Sequence, residues 1–303
     1  MPGFSKVGIV GAGVIGASLL RAIKKYKPSM KTLAIDTDPD HRDYLLQNCL
    51  ADRVGDKPDD LLGAELIVFC TPPGITGSLI LRFANQYENS PIFIEVASVK
   101  GRLEKHVISK LAPDFPLIPA HPMTGSEASG PTNSDADLFL GRPCILCPAP
   151  GVPPPAIILA SRFWRAFGAH VHLTSIDRHD AMVAVTSHLP HLVAFALSRA
   201  IDSRIGNDPH RAAFIGTGLH SSLRIAKAQP DLWTEILSMN SECVLKALNA
   251  MQLELEVFRK LLSADDTHGL REAIGSAVTS ALSILQKYNE NSDVADLRER
   301  KWT

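Results

Sequence analysis

The sequence predicts an α/β protein: a doubly wound parallel sheet over residues 1–175, followed by an all-helical second half over residues 176–303. Two observations carry this. In the first half, short apolar or β-branched runs alternate with amphipathic stretches, the pattern of strands with crossover helices. From Asp177 onward glycine becomes sparse and the apolar spacing turns helical. A chain of 303 residues is long enough for two such cores.

Val7 to Val10 reads as the first strand and leads directly into GAGVIGAS, with Gly11, Gly13 and Gly16 at G-x-G-x-x-G spacing. Leu19, Leu20 and Ile23 then mark a helix packed on the sheet. In that setting the glycines serve a tight turn, close approach of the backbone to a pyrophosphate, and close helix–strand packing. The helix start, with Val14 and Ile15 in its first turn, offers unpaired N–H groups to the phosphates. The second strand, Thr32 to Ile35, ends in Asp36, twenty residues after Gly16, where a carboxylate meets adenosine ribose hydroxyls. Asp36 repels a 2′-phosphate, and Thr37 and Asp38 supply no cation. NAD is therefore favoured over NADP, with Arg42 the nearby residue that could alter this.

Further strands are expected at Leu66–Cys70 and Ile92–Val96, alternating with helices at about 75–86 and 103–111, and Phe115–Pro119 reads as the end of another buried strand. Proline-rich 147–155 reads as a surface connection, followed by a helix to about Phe167 and a strand at His170–Leu173. Ligands of such sheets bind beyond the carboxyl ends of the strands. Three segments should face the cofactor: CTPPG (70–74), with Thr71 and Pro72; ASVKG (97–101), with Ser98; and AHPMTGSE (120–127). His121 is followed by Pro122, Thr124, Gly125, Ser126 and Glu127, more turn-forming and polar groups than a packing histidine needs. Ser98 and His121 are expected on neighbouring loops, the imidazole to take a hydroxyl proton and the serine to hold hydroxyl and imidazole in register.

The helical half shows long patterns at 177–200, 231–262 and 266–288. Its informative exceptions are His188 and His191, which flank Leu189-Pro190 in an apolar helix, and Arg224 in SSLRIAKAQPDLW. Each has a plain structural explanation, a hydrogen-bonded core histidine or a snorkelling arginine. With a carboxylate substrate, however, Arg224 suits bidentate binding.

Lys and Arg number 31 against 32 for Asp and Glu, a net charge of −1, so no electrostatic footprint points to nucleic acid or an anionic membrane. The expected partners are a small-molecule substrate and another subunit. Five cysteines (49, 70, 144, 147, 243) are scattered, mostly through apolar runs, and the start MPGFSKVGIV shows no secretory signal; both suggest the cytoplasm. Cys144-x-x-Cys147 with His170-x-His172 invites a zinc reading. On a strand, residues three apart face opposite ways, so no metal is expected. Residues 181–198 are long and uncharged, but His188, Pro190 and His191 midway favour a buried, kinked helix over a membrane span.

Five segments, VGIVGAGVIGAS, ASVKG, HPMTGSEASGP, TSHLPHLVAFAL and LRIAKAQPDLWTEILSMN, in that order and spacing, resemble the prephenate/arogenate (cyclohexadienyl) dehydrogenase family of tyrosine biosynthesis over about residues 5–290. The resemblance implies a Rossmann-type NAD-binding domain joined to a helical dimerisation domain, a homodimer, and oxidative decarboxylation. By that likeness His121 accepts the proton of the ring 4-hydroxyl while hydride leaves C4 for the nicotinamide, and Ser98 positions both. Arg224 would hold a substrate carboxylate, His188 and His191 would line the same pocket, and Ser126 and Glu127 would lie near its mouth. Ser221 and Ser222 stand where the family often has charged residues, and Glu95 and Ala97 replace a familiar Asp and Gly. No appended mutase bundle or regulatory domain is visible, so a monofunctional enzyme is expected. The alternatives are an amino-deoxyprephenate dehydrogenase, which differs by one ring substituent; a hydroxy-acid dehydrogenase, for which a lysine would be expected where this chain offers His188 and His191; and a silent NAD-binding sensor.

Overall fold

A computed structural model describes residues 4–87, 91–124, 129–206 and 210–299. The first half forms β1 (Lys6–Val10), α1 (Val14–Tyr26), β2 (Lys31–Ile35), α2 (Pro39–Gln47), β3 (Arg53–Gly55), β4 (Leu66–Phe69), α3 (Pro73–Gln86), β5 (Ile92–Glu95), α4 (Gly101–His106), β6 (Leu117–Pro122), β7 (Pro143–Leu146), α5 (Pro154–Arg165) and β8 (His170–Leu173). The eight strands form one sheet in the order β3-β2-β1-β4-β5-β6-β7-β8. Strand order reverses between β1 and β4, which opens the crevice where doubly wound sheets bind ligands.

Both faces of the sheet are covered. Leu66 and Val68 of β4 join the core with Leu19, Leu20 and Trp164, while Ile67 and Phe69 join Phe83 and Phe93 on the other side. Burial on both faces explains why LIVF is an uninterrupted apolar run rather than an alternation. Phe69 meets Phe83 and Phe93 edge to face at 5.3 Å each.

Two departures from the expected sheet bear on the site. β3 is a short, partly exposed edge strand with no apolar signal of its own. β6 extends beyond Pro119 to Pro122 because β7 pairs with it antiparallel, His121 opposite Ile145, after β5 has ended. The sheet is therefore mixed, and His121 sits in a strand, not in the loop that follows.

The helical portion contains α6 (Ile176–Val183), a π-helical turn (Ala184–His188), α7 (Leu189–Ile205), α8 (Thr217–Leu223), a 3-10 turn (Arg224–Lys227), α9 (Pro230–Met239), α10 (Ser241–Ser263) and α11 (Thr267–Glu299). Before Pro190, where a kink is expected, the helix passes through the π turn; proline lacks the N–H that continues the ladder and its ring crowds the preceding turn. The expected burial is not found in the single chain: of residues 181–198 only Val183, Ala184, His188 and Ala194 are buried. The stretch Ile176–Ile205 has a window of mean hydropathy 1.4 with 22% of it buried, long and apolar enough to cross a membrane by length and composition alone. The pattern at 231–262 breaks at Asn240, giving α9 and α10.

The chain divides into two compact units, residues 1–241 and 242–303. The second contains most of α10 and all of α11, joined by a turn in which Asp265 adopts a left-handed φ of 52° and Asp266 caps Gly269 N at 2.9 Å. It exposes Leu253, Leu262, Leu282 and Ile284.

Candidate active site

Beyond the carboxyl ends of β1, β2, β4 and β5 lies a cleft of about 910 Å³ lined by Gly11, Gly13, Val14, Ile15, Asp36, Thr71, Pro72 and Ser98. These are the expected cofactor residues except Gly16. A Cβ on Gly16 would lie 1.9 Å from the Gly11 carbonyl oxygen, so that glycine serves close packing. Gly11 has a φ of +92° and turns the chain against Cys70. A Cβ placed on Gly13 would meet nothing within 4 Å, which leaves the start of α1 open to a phosphate.

Asp36 accepts hydrogen bonds from Ala12 N at 2.6 Å and Asp38 N at 2.8 Å, fixing its carboxylate beside the glycine turn. Arg42, the residue considered as a 2′-phosphate partner, instead donates to the carbonyls of Asp36 (2.8 Å) and Thr37 (2.9 Å). The basic side chains lining the cleft are His41 and Arg82. Leu232 of α9 also lines it, and Glu235 accepts from Gly74 N at 3.1 Å, so α9 reaches the cofactor side.

Ser98 and His121 are held close by a residue that sequence reasoning passed over. Lys100 is fully buried and donates from Nζ to the carbonyls of Ala97 and Ala120, each at 2.6 Å, while pairing with the carboxylate of Glu95. Those carbonyls immediately precede Ser98 and His121. One ammonium thus fastens the chain after β5 to the end of β6. Burial pushes the Glu95 carboxyl up, and Lys100 together with the Ala97 N–H opposes it.

His121 Nδ1 lies 2.9 Å from Nε2 of His179, and His179 Nδ1 lies 2.7 Å from Oδ1 of Asp180. The Asp180 carboxylate also accepts from Lys100 N (3.0 Å) and Gly101 N (2.7 Å) at the start of α4. Burial, reinforced by the charge of Lys100, holds His121 well below its ordinary value of 6.5, so it is neutral at physiological pH and able to accept a proton.

His188 is buried and shifted down by burial to about 4. Asn240 Nδ2 donates to the Asp180 carbonyl at 2.8 Å and lies 3.2 Å from His188 Nδ1. A carbonyl only accepts, so the amide nitrogen must face it; His188 Nδ1 is then an acceptor and Nε2 carries the hydrogen. His191 stacks on Trp233 at 3.7 Å and donates from Nδ1 to the Ser187 carbonyl at 2.9 Å. His188 meets the same indole edge to face, 6.1 Å between centroids, and completes an aromatic wall.

Arg224 is exposed on the 3-10 turn packed against α7. Ser126 and Glu127 lie outside the described residues. Cys144 and Cys147 are buried, the latter thiol pushed up to about 12 by burial, and no group of three or more potential metal ligands gathers among the described residues. Lys100, His179, Asp180, Trp233 and Asn240 were not singled out from the sequence. For Asn240 the signal that could have found it is an amide at a position the apolar pattern assigns to the interior.

Residues 19–173 match the family model described as "Prephenate dehydrogenase, nucleotide-binding domain", and residues 175–276 match "Prephenate dehydrogenase, dimerization domain". Among curated relatives, the chain is 29% identical to a cyclohexadienyl dehydrogenase of Zymomonas mobilis, over 93% of this chain and 96% of that protein. It is 25% identical to a prephenate dehydrogenase of Bacillus subtilis, over 86% and 71%. Among solved structures, a prephenate dehydrogenase from Aquifex aeolicus in complex with hydroxyphenyl propionate and NAD+ superposes with a TM-score of 0.86 at 24% identity, covering 92% of this chain and 98% of that one. An arogenate dehydrogenase of Synechocystis gives 0.80 at 23%, covering 92% and 99%. At these identities the solved structures speak to the shared fold.

Proposed function

The chain belongs to the prephenate dehydrogenase family, whose two domains it carries in order, and we propose that it converts prephenate, arogenate or both to the aromatic product by NAD-dependent oxidative decarboxylation. The observation that carries this reading is a neutral, half-buried histidine, His121, fastened beside Ser98 at the edge of a dinucleotide cleft. NAD, when bound along the cleft, supplies the hydride acceptor. Gly11, Gly13 and the start of α1 hold its pyrophosphate and Asp36 its ribose.

His121 takes the proton of the ring 4-hydroxyl as hydride leaves C4, and Ser98 orients the hydroxyl. The bond from C1 to its carboxylate then breaks, its electrons complete the aromatic ring, and the proton on His121 returns to the phenolic oxygen. Carbon dioxide and the aromatic acid are released with no net proton. Aromatisation drives the step. His188, whose Nδ1 faces the Asn240 amide and whose Nε2 therefore carries the hydrogen, is suited to donate to a substrate oxygen, and Arg224 to hold a carboxylate.

The assignment of cofactor work to residues 1–175 and of substrate work and dimerisation to residues 176–303 is part of the same proposal. Exposed Met182, Val185, Leu253 and Leu282 support burial against a second copy, giving a soluble, cytoplasmic homodimer. Light scattering that returned a monomer at working concentration would contradict it. The reaction is tested by NADH formation with prephenate and with arogenate at matched concentrations, with NADP as control. Turnover of either supports the reading; silence with both, in protein that binds NAD, would count against it.

A further inference from the structure

We propose that His179, oriented by Asp180, is a positioning residue that fixes His121 as the tautomer protonated on Nδ1, leaving Nε2 as the proton-accepting atom. The inference rests on the reading of His121 as the base.

The contacts order the ring hydrogens from the carboxylate outward. The Asp180 carboxylate already accepts two backbone N–H groups, from Lys100 and Gly101, so it is an acceptor toward His179 as well. The 2.7 Å contact therefore requires a hydrogen on His179 Nδ1. With its ring hydrogen on Nδ1, His179 presents the Nε2 lone pair to His121, and the 2.9 Å contact then places a hydrogen on His121 Nδ1. Since His121 is itself neutral, its Nε2 is bare. His179 and Asp180 are 2% and 4% exposed, so water cannot readily replace either partner.

The local sequence holds this pair in place. Ser175 caps α6 by accepting from Arg178 N at 3.3 Å, and His179 N bonds the Ser175 carbonyl at 2.9 Å, which fixes the first turn of α6. Asp180 simultaneously satisfies the amides at the start of α4. When His121 accepts the substrate proton on Nε2, the resulting imidazolium keeps its Nδ1–H on a nitrogen whose far side faces a carboxylate. The arrangement thus both selects the base tautomer and stabilises the charge formed in the transition state.

The test has two arms. In histidine-labelled protein near neutral pH, nitrogen-15 spectra, with the His121 signals assigned by their loss in His121→Asn, should show Nδ1 protonated and Nε2 bare; His179→Leu should shift His121 toward the Nε2–H form. In steady-state kinetics, His179→Leu should lower kcat roughly 10²-fold at nearly unchanged KM. His179→Gln, which restores an acceptor oxygen, should recover part of the loss. In the His121→Asn background, His179→Leu should have no further effect. A His121 protonated on Nε2 in the wild type, a His179→Leu kcat within about twofold of wild type, or an undiminished loss in the His121→Asn background would each overturn the proposal. The spectroscopic arm needs no substrate. Silence toward both acids would therefore fall on the reaction assignment, while the tautomer still decides the role of His179.

Discussion

Lys100→Met isolates the fastening beneath the site. The substitution keeps most of the side-chain volume and removes a buried ammonium that bonds two carbonyls at 2.6 Å and pairs with Glu95. Glu95, 1% exposed, is left with Ala97 N as its remaining donor at 2.8 Å. Breaking a buried pair by removing one partner costs about 3–5 kcal/mol, a large share of a typical domain stability of roughly 5–15 kcal/mol. The sign of the pH dependence follows from Glu95. With Lys100 gone, burial outweighs the remaining Ala97 N–H and raises the folded pKa of the carboxyl above the unfolded value of about 4.3. A raised carboxyl costs stability above the unfolded value, so the variant should regain stability as pH falls from neutral toward that range. Urea unfolding at two pH values measures both effects, and Lys100→Met with Glu95→Gln should be more stable at neutral pH than Lys100→Met alone. A Lys100→Met variant within about 1 kcal/mol of wild type, or no rescue by Glu95→Gln, would refute the view that this pair holds the two segments together.

Other outcomes follow from the same geometry. His121→Asn should retain NAD affinity, measured by titration, while kcat drops by roughly 10²–10⁴ because the proton acceptor is needed only in the transition state. Gly13→Ala should fold normally, since its Cβ meets nothing, yet bind NAD at least about tenfold more weakly by crowding the phosphate approach; Gly16→Ala should impair folding itself, seen in thermal melts, because its Cβ would sit 1.9 Å from the Gly11 oxygen. Protonation disables the base, so with His121 held below 6.5 the kcat/KM profile should stay flat from pH 8 down through that ordinary histidine value and fall only at lower pH. An acid limb centred at the ordinary value would contradict the assigned environment.

How far the sequence discloses these features depends on what each residue's neighbours are. β1, β4 and β5 were legible because strands buried on both faces must be continuously apolar, and the cofactor turn because the left-handed φ of Gly11, the close packing at Gly16 and the bond from Ala12 N to Asp36 leave their marks at short, fixed spacings in the sequence. The extent of β6 was not legible. Its last residues pair with β7, whose direction is set by the intervening connection and not by PCIL itself. The break at Asn240 was hidden because apolar spacing continues through it, and only the contacts to Asp180 and His188 reveal why an amide stands there. His179 and Asp180 were obscured by position. Polar residues in the first turns of a helix are explained by capping and the helix dipole, and their burial emerges only when α6 meets β6 and α4.

The same contacts explain how a site assembled from distant segments keeps ångström-level register. Lys100 joins the ends of β5 and β6, its own backbone amide is held by Asp180, and Asp180 belongs to the helix that delivers His179 to His121. A displacement of α6 therefore has to break the charge-assisted hydrogen bonds to α4 and the hydrogen bond to the base at once, whereas apolar packing alone would allow sliding at small cost. The expected signature is non-additivity: Lys100→Met and Asp180→Asn act on one network, and the kcat loss of the double variant should be well below the product of the separate losses. If the two losses multiplied, the staple beneath Ser98 and the carboxylate behind His179 would be independent supports, and a shared register would be ruled out while the assignment of the base stood.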